Sequence, residues 1–532
     1  MRRSKKVLVP HNPDFRRTWM FPRNIRHIAP WKIAQIVTLL WEQAKSTAWS
    51  GNQTIQGQFT KALELAGLKR VGVQYDPHSG GARTYLAQLE CLGLVFKRGR
   101  REVYLTLAGE GMAGGSPPLP ILQELLFRHQ YPSVYSQNKN VKIHPSVKVK
   151  PFLFVLELMK LAGYLTNEEL VVPIVYGHSR QCLDLCLGKI EKLRRGQPLE
   201  SVIDYPDDLY TPRTRGRSES DAIADVRNIA NTCKNYLDGG CLIDVESEDG
   251  RHKARIANEY SKLIFKAINR SEDFISGWES EESFQRKLGC WGRSKDTRLI
   301  SEMVNAKPSN SIIAARFFSL AGTAPILSFP DEFTYEMVSG FGFAVDEIKE
   351  VINPLLGKAL DYFESTYMDM AKSGGVKSVE FEKATGRLFT DRLKFSVQHT
   401  GQKKRLGQVG GYADLFLIAL DDSHCAIIDT KSTSSYSLNA QDYRAMAYDY
   451  IPSYMELSPD KNRVLEFCSY VAGGYAGNIN SKLKALREKT GVPVSAISAL
   501  NMLNICKADL TQDTIREVFS EGRKLDCRDF NR

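Results

Sequence analysis

Three residues in the last third of the chain have the types and spacing of a metal-assisted hydrolytic site: Asp414, Asp429 and Lys431. Two carboxylates at neighbouring strand ends can share a hard divalent cation such as Mg²⁺, and the carbonyl of Thr430 would add an oxygen ligand. Such a cation polarises a phosphodiester and lowers the pKa of a bound water. Lys431 stands two positions after Asp429 and so points to the same face of a strand, where its ammonium can stabilise developing negative charge.

The spacing alone is a weak signal, because an Asp followed by an Asp/Glu-x-Lys pattern also arises by chance in a chain of 532 residues. A surface Asp–Lys pair at the end of a strand is the alternative interpretation. One feature that favours catalysis is the apolar run at 425–428, which leads directly into Asp429. A carboxylate that ends a buried strand is otherwise costly, and a bound metal would explain why it is tolerated.

Four predicted elements position these residues, and they follow a Ser-Gly-Gly segment at 373–375 that punctuates the chain. The first element is an amphipathic helix that carries Glu382. Two apolar strands come next, the first with Asp414 near its start and the second ending at 429–431. In chain order the elements are a helix at 379–393, strands at 412–420 and 424–432, and a helix at 438–451.

Matching segments follow one another in a specific order: IIDTK at 427–431, a helix with Gln441 and Tyr448 seven residues apart, FCSYVAGGYAGNINSKLKAL at 467–486 and VPVSAISALNML at 492–503. Together they resemble the cleavage domain of FokI-type type IIS restriction endonucleases, which lie in the PD-(D/E)xK nuclease superfamily. The tripeptide DTK is common by itself, whereas the ordered run is specific. The resemblance covers roughly residues 376–525.

The resemblance implies a role for each matching residue. Asp414 and Asp429 correspond to the metal-binding carboxylates, and Lys431 corresponds to the catalytic lysine. Glu382 corresponds to the helix glutamate that supports the site. Gln441 corresponds to the polar residue that opens the next helix. The implied cofactor is Mg²⁺.

The chain departs from the family pattern at two places. The usual Pro before the first Asp is Ala413. The Asp–Arg pair through which such cleavage domains dimerise aligns with Tyr443 and Ala447. The resemblance implies a transient homodimer through the nuclease domain for double-strand cleavage, and these substitutions leave its geometry open.

The net charge of +11 favours a polyanionic partner, here double-stranded DNA, because Lys and Arg that neutralise phosphates release counterions. A merely soluble basic protein is the alternative. Residues 1–26 hold eight Lys/Arg against one acid, interleaved with aromatics, which suits a phosphate backbone; the alternative is a solvated tail. The arginines predicted to contact DNA are Arg16, Arg17 and Arg23 in this arm, Arg98, Arg100 and Arg101 in a hairpin turn, and Arg213, Arg215 and Arg217 in a loop that could equally be a flexible one.

The pattern of the N-terminal half, helices followed by a hairpin, resembles a winged helix and appears twice. The predicted fold is therefore a multidomain α+β protein with N-terminal winged-helix-like DNA-recognition modules, a helical connector and a C-terminal α/β nuclease domain with a central mixed sheet. The predicted domains are the basic arm with the first module at 1–118, the second module at 119–270, the connector at 271–372 and the endonuclease domain at 373–532.

The ten scattered cysteines, and the lack of a signal-peptide core or an apolar run of about 18 residues, predict a cytoplasmic protein of a prokaryotic cell that does not engage a membrane. The leading hypothesis is a type IIS restriction endonuclease that binds a short asymmetric site and hydrolyses phosphodiester bonds at a fixed distance outside it with Mg²⁺. The alternatives are a strand-specific nicking endonuclease of the same family and a winged-helix DNA-binding regulator whose C-terminal domain is inert.

Overall fold

A computed structural model of the chain describes residues 15–22, 28–44, 47–69, 80–99, 102–137, 142–203, 219–248, 251–276, 279–305, 311–326, 328–403, 411–457, 459, 462–508 and 510–530. The chain divides into two compact units. The first comprises Met1–Leu320 and Asp331–Tyr362, and the second comprises Ala321–Pro330 and Phe363–Arg532. After the functions that the sequence predicts for them, we call the first the recognition unit and the second the nuclease unit. The finer predicted boundaries at 118, 270 and 372 stay predictions.

The described part of the chain up to residue 356 is mainly helical. Its helices are α1 (Pro30–Ala44), α2 (Gln53–Leu65), α3 (Gly80–Cys91), α4 (Leu107–Ala113), α5 (Pro118–Arg128), α6 (Val134–Gln137), α7 (Pro151–Ala162), α8 (Val171–Tyr176), α9 (Leu183–Arg194), α10 (Leu199–Val202), α11 (Glu219–Gly239), α12 (Ser261–Ile268), α13 (Glu281–Leu288), α14 (Ile300–Asn305), α15 (Ser311–Thr323), α16 (Asp331–Phe341) and α17 (Val345–Leu356). Its strands are β1 (Phe15–Arg16), β2 (Val95–Arg98), β3 (Glu102–Leu105), β4 (Lys142–Ile143), β5 (Leu165–Thr166), β6 (Ile243–Glu248) and β7 (Arg251–Ile256).

Two parts of the recognition unit share one order of elements: a helix, a short strand or bridge, further helices and a hairpin. In the second part, α7, β5, α8 to α11 and the hairpin β6–β7 give a three-stranded sheet of order β5-β7-β6. In the first part, α1 to α3 precede the hairpin β2–β3. Ala48 forms an antiparallel bridge to Glu102 of β3, and this bridge corresponds to the antiparallel pairing of β5 with β7 in the second part. The winged-helix assignment of these parts stays a prediction.

The nuclease unit is built on a six-stranded sheet of order β13-β12-β11-β10-β9-β8. The strands β8, β9 and β10 are antiparallel, and β10 to β13 are parallel, which confirms the predicted mixed sheet. The strands are β8 (Ser396–His399), β9 (Leu415–Ile418), β10 (His424–Lys431), β11 (Val464–Ala472), β12 (Val494–Ser498) and β13 (Lys524–Leu525). The helices are α18 (Ala359–Lys372), α19 (Ser378–Arg387), α20 (Ala440–Arg444), α21 (Asn480–Thr490), α22 (Ala499–Lys507) and α23 (Gln512–Phe519).

The central strand β10 is buried from Cys425 to Asp429. Its β-branched isoleucines favour a pleated strand, and a strand with a parallel neighbour is expected to be apolar on both faces. Ile427 packs with Phe416 of β9 and Cys468 of β11 in one buried cluster. This cluster supports the end of the sheet at which β10 terminates, and the candidate site lies at that end.

Among the described residues, no helix combines the length and the apolar character needed to cross a membrane.

Candidate active site

The pairing of β9 with β10 brings the two predicted aspartates together. Leu415 pairs with Ile428 in an antiparallel register, so Asp414, one residue before Leu415, lies opposite Asp429. Side chains alternate along a strand, so both carboxylates leave the sheet on the face opposite to that of Leu415 and Ile428. The register therefore places the two aspartates at adjoining strand ends, and their joint role at a metal stays a prediction.

The residue between Asp429 and Lys431 fixes the orientation of Asp414. Both the backbone N–H of Thr430, at 2.7 Å, and its hydroxyl donate to Asp414 Oδ2. From the other side, the backbone N–H of Thr400 donates to the carbonyl of Asp414 over 2.7 Å. Asp414 Oδ1 is left on the side of Gly401, where a Cβ would stand 2.9 Å from that oxygen.

Asp429 is nearly inaccessible to solvent, with 3% of its surface exposed. Burial raises its pKa to about 7; Lys431 opposes this rise, and Asp414 and Asp442 add to it. The ammonium of Lys431 lies 2.9 Å from Asp429 Oδ2 as an ion pair. Apart from Lys431, no donor among the described residues reaches this buried oxygen.

Lys431 bridges two carboxylates. Its Nζ also donates to Asp442 Oδ1 over 3.1 Å. Burial alone would lower the pKa of Lys431, but the charges of Asp429 and Asp442 raise it above the usual value. Lys431 is therefore a protonated, half-buried cation at the end of β10.

The helix α19 brings Glu382 to the site. His399 Nδ1 lies 3.1 Å from Glu382 Oε1, and the Cβ position of Gly401 would lie 3.6 Å from Glu382 Oε2. This close approach depends on Gly386, where a Cβ would lie 2.9 Å from the His399 ring. Burial raises the pKa of Glu382, the bond from His399 opposes the rise, and the charge of Asp414 adds to it.

The resemblance selected Gln441 as the polar residue that opens the following helix, and Gln441 is the second residue of α20, with an exposed side chain. Its role stays a prediction. Asp442, the next residue, is the one that contacts Lys431. The reason is the helix cap: Asn439 accepts the N–H of Asp442, which sets the rotation at which α20 begins.

Tyr450 was not singled out by the sequence, and its half-buried side chain packs against the core of the nuclease unit. This residue ends a π-helical turn, Ala445–Tyr450, that continues α20. Burial raises the pKa of Tyr450 to about 12, and the charge of Asp429 contributes next. A π turn inserts an extra residue and rotates the helix face, which a helical periodicity of apolar residues does not reveal.

Two features of the site suit a divalent cation. Asp429 has a buried carboxylate oxygen whose partner among the described residues is the Lys431 ammonium, and Gly401 leaves space beside oxygens of Asp414 and Glu382. Carboxylate oxygens are the ligands that Mg²⁺ takes from proteins. In the part of the chain that is described, no three acidic, His or Cys side chains stand close enough to hold a metal as placed. A cation would therefore compete with Lys431 for Asp429.

The arginines predicted to contact DNA differ in their burial and in their contacts. Arg16 is corrected: it is 4% exposed, and its guanidinium donates to Thr18 and to the Trp19 carbonyl, so it stabilises the arm instead. Arg17 is half-buried, with Nη2 3.4 Å from His144. The side chain of Arg98 is 51% exposed and lies 3.5 Å from Glu282. The remaining predicted arginines, Arg23, Arg100, Arg101, Arg213, Arg215 and Arg217, lie outside the described residues.

Comparison with known proteins finds a family that is similar to part of this chain. Residues 342–526 match the family described as "FokI, cleavage domain". A curated relative, the type II restriction enzyme StsI of Streptococcus sanguinis, is 27% identical over 153 residues. The match covers 26% of this chain and 24% of StsI, so the chain spans about a quarter of the relative's length.

Two solved structures are similar over longer stretches at low scores. The structure of restriction endonuclease FokI is 12% identical, with a TM-score of 0.27, over 93% of this chain and 97% of that chain. The BpuJ1 endonuclease binding domain, in complex with modified DNA, is 11% identical, with a TM-score of 0.37, over 52% of this chain and 98% of that chain. At TM-scores this low, neither similarity supports an inference about the fold or the function of this chain.

Proposed function

We propose that this protein is a type IIS restriction endonuclease, because residues 342–526 match the FokI cleavage-domain family. It binds a short asymmetric site in double-stranded DNA and hydrolyses phosphodiester bonds at a fixed distance outside that site. The observation that carries the proposal is the convergence of Glu382, Asp414, Asp429 and Lys431 at one edge of the mixed sheet.

The side chains at this end of the sheet have different proposed roles. Asp414 and Asp429, supported by Glu382, would hold the cation, with Mg²⁺ as the proposed metal and the Thr430 carbonyl as a further ligand. When bound, it supplies Lewis acidity toward the phosphodiester. Lys431 stays protonated and places a positive charge where the reacting phosphate gains negative charge.

The recognition unit supports the DNA-binding half of the proposal. The element order of α7 to β7, with its β5-β7-β6 sheet, resembles that of a winged helix, in which the helix before the hairpin enters the major groove. In this proposal that helix is α11. It carries the exposed Asn228 and Asn231 and the half-buried Asn235, and Asn is a side chain that pairs bidentately with adenine.

Digestion of a defined supercoiled plasmid with Mg²⁺, followed by run-off sequencing of the ends, tests the proposal. Discrete linear fragments with a constant offset from a common sequence are expected. Asp429→Asn should abolish cutting but retain binding, whereas Asp449→Asn, at an exposed position of the following helical turn, should cut normally. No discrete product with Mg²⁺, Mn²⁺ or Co²⁺ would overturn the proposal.

Cutting both strands with one site per chain needs a second copy of the nuclease unit, so the proposal includes a transient homodimer. The rate of linearisation should then rise with enzyme concentration at fixed DNA. Open circles that never become linear would point to strand-specific nicking instead. An Asp429→Asn protein that is indistinguishable from wild type in every assay would point to a regulator.

A further inference from the structure

The carboxylate of Asp442 is the second acceptor of the Lys431 ammonium. The distance from Lys431 Nζ to Asp442 Oδ1 is 3.1 Å, against 2.9 Å to Asp429 Oδ2. The two acceptors differ in what else they can do. Asp429 is a proposed metal ligand, and Asp442 lies on a different element, in the first turn of α20.

The other oxygen of Asp442 is held by two donors. The hydroxyl of Tyr436 and the amide of Asn439 both donate to Asp442 Oδ2, each over 2.9 Å. Burial raises the pKa of Tyr436 well above its usual value, and its neighbours Tyr470 and Asp442 add to this, so its hydroxyl remains a donor. The backbone is fixed as well, because Tyr470 donates its hydroxyl to the Asp442 carbonyl over 3.3 Å.

These contacts separate a role toward Lys431 from a role in capping the helix. The cap requires only the side-chain oxygen of Asn439 and the backbone N–H of Asp442. It does not require the carboxylate of Asp442, which is instead directed at Lys431. Both carboxylate oxygens already accept hydrogen bonds, so Asp442 is also poorly placed to become a metal ligand.

We propose that Asp442 is a positioning residue that holds the Lys431 ammonium at the reaction centre when Asp429 exchanges its ion pair for a divalent cation. The inference rests on the proposed nuclease function. A cation that engages Asp429 removes the closer of the two acceptors of Lys431. Without Asp442, a long lysine side chain would then regain its rotamer freedom. With Asp442, the ammonium keeps one charge-assisted hydrogen bond to a rigid acceptor.

Two measurements on Asp442→Asn test this role. The first is the rate at which Lys431 is acetylated in the metal-free protein, measured by mass spectrometry and normalised to the exposed Lys484. It should rise by up to about tenfold, since a charge-assisted hydrogen bond is weakened. The second is plasmid cleavage, in which kcat should fall roughly 10–100-fold with little change in KM. Asp449→Asn should change neither.

Calorimetric titration with Mn²⁺ separates positioning from ligation. The proposal expects the Mn²⁺ affinity of Asp442→Asn to stay within about threefold of wild type, because both oxygens of Asp442 are already bonded. A loss of Mn²⁺ affinity as large as the loss of kcat would overturn it in favour of a metal ligand. Unchanged acetylation of Lys431, or a kcat within about twofold of wild type, would also overturn it.

Asp442→Asn could unfold early in a thermal melt, and Tyr436→Phe is then the variant to use. It removes one donor from Asp442 Oδ2 without altering charge. The rise in Lys431 acetylation and the fall in kcat should both appear, each smaller than in Asp442→Asn. If the wild-type protein cuts no DNA with any metal, the proposed function fails. The acetylation result then decides whether Asp442 holds Lys431: a rise supports the contact, and no change overturns it.

Discussion

Thr430 donates both its backbone N–H and its hydroxyl to a single oxygen of Asp414. The strand that carries Asp429 thereby also orients the carboxylate of Asp414, although the two aspartates are fifteen residues apart in the chain. One oxygen of Asp414 is consumed by these bonds, and the other faces the space beside Gly401. The residues of β10 thus orient both carboxylates of the proposed metal site.

Replacing Thr430 by Ala should weaken metal binding. The change removes the hydroxyl donor to Asp414 but keeps the backbone N–H and carbonyl, so the carboxylate loses one of its two anchors. A hydrogen bond to a charged group contributes about 1.5–3 kcal/mol, so we expect Mn²⁺ affinity to fall roughly tenfold or more. Calorimetry measures this, with Thr433→Ala as a control on the same segment. Equal affinities for Thr430→Ala and wild type would contradict the role given to the hydroxyl.

Gly401→Ala should abolish cleavage while leaving the fold intact. The new Cβ would stand 2.9 Å from Asp414 Oδ1, closer than ordinary contact, and would fill the space proposed for the cation. We expect a loss of at least about 100-fold in kcat, because a displaced ligand removes the cation's contribution to transition-state stabilisation. Gly188→Ala is the control, since that helical glycine has open space around its Cβ position. Retained cleavage by Gly401→Ala would place the cation elsewhere.

Metal binding should be pH-dependent. Burial raises the pKa of Asp429 to about 7, so below that pH the metal-free carboxyl binds a proton that a cation must displace. The sign follows: affinity for Mn²⁺ should rise as pH increases toward about 7 and level off above it. Calorimetry in buffers of different ionisation enthalpy would count the released protons, approaching one at low pH. A flat affinity between about pH 5.5 and 8 would show that Asp429 is ionised throughout.

The recognition unit should show its own pH dependence through Glu281. Burial and the neighbouring Glu90 raise the pKa of Glu281 to about 7, even though its carboxylate accepts the N–H of Lys97 over 2.9 Å. Because the folded-state pKa lies above the unfolded value, its stabilising contribution is complete below about pH 4.5 and is lost as pH rises through about 7. The Tm of Glu281→Gln minus that of wild type should therefore increase over this range. Glu279→Gln, at an exposed position, should show a constant difference.

The strands of the site could be predicted from sequence because their information is local. The apolar, β-branched run before Asp429 predicts a buried strand at 424–432, and the structure has β10 at His424–Lys431. Side-chain alternation then places Lys431 on the face of Asp429. The interval between Asp414 and Asp429 is short enough for an antiparallel connection, so their meeting also follows from the chain itself.

The remaining features depend on contacts that no local pattern encodes. Asp442 and Gln441 are adjacent in sequence, and only the cap at Asn439 together with Tyr436 decides which of them reaches Lys431. The segment that contains Arg16 has the basic, aromatic-rich composition expected of an arm that contacts DNA. Its burial follows from the docking of Trp19, whose indole donates to the Gly177 carbonyl over 2.8 Å. Composition predicts a charge, and tertiary packing decides whether solvent reaches it.

The asparagines of α11 should determine which bases are read. Asn is a poor helix former, yet the exposed Asn228 and Asn231 and the half-buried Asn235 follow one another along this helix at spacings of three and four residues. In an Asp429→Ala background, which binds without cutting, each change to Ala should weaken binding to the cognate site by about 1–3 kcal/mol. Non-specific affinity and its salt dependence should stay the same, because no charge is removed. Asn353→Ala, an exposed helical asparagine in α17, is the control. A uniform loss across all DNA sequences would mean that α11 positions the protein without reading bases.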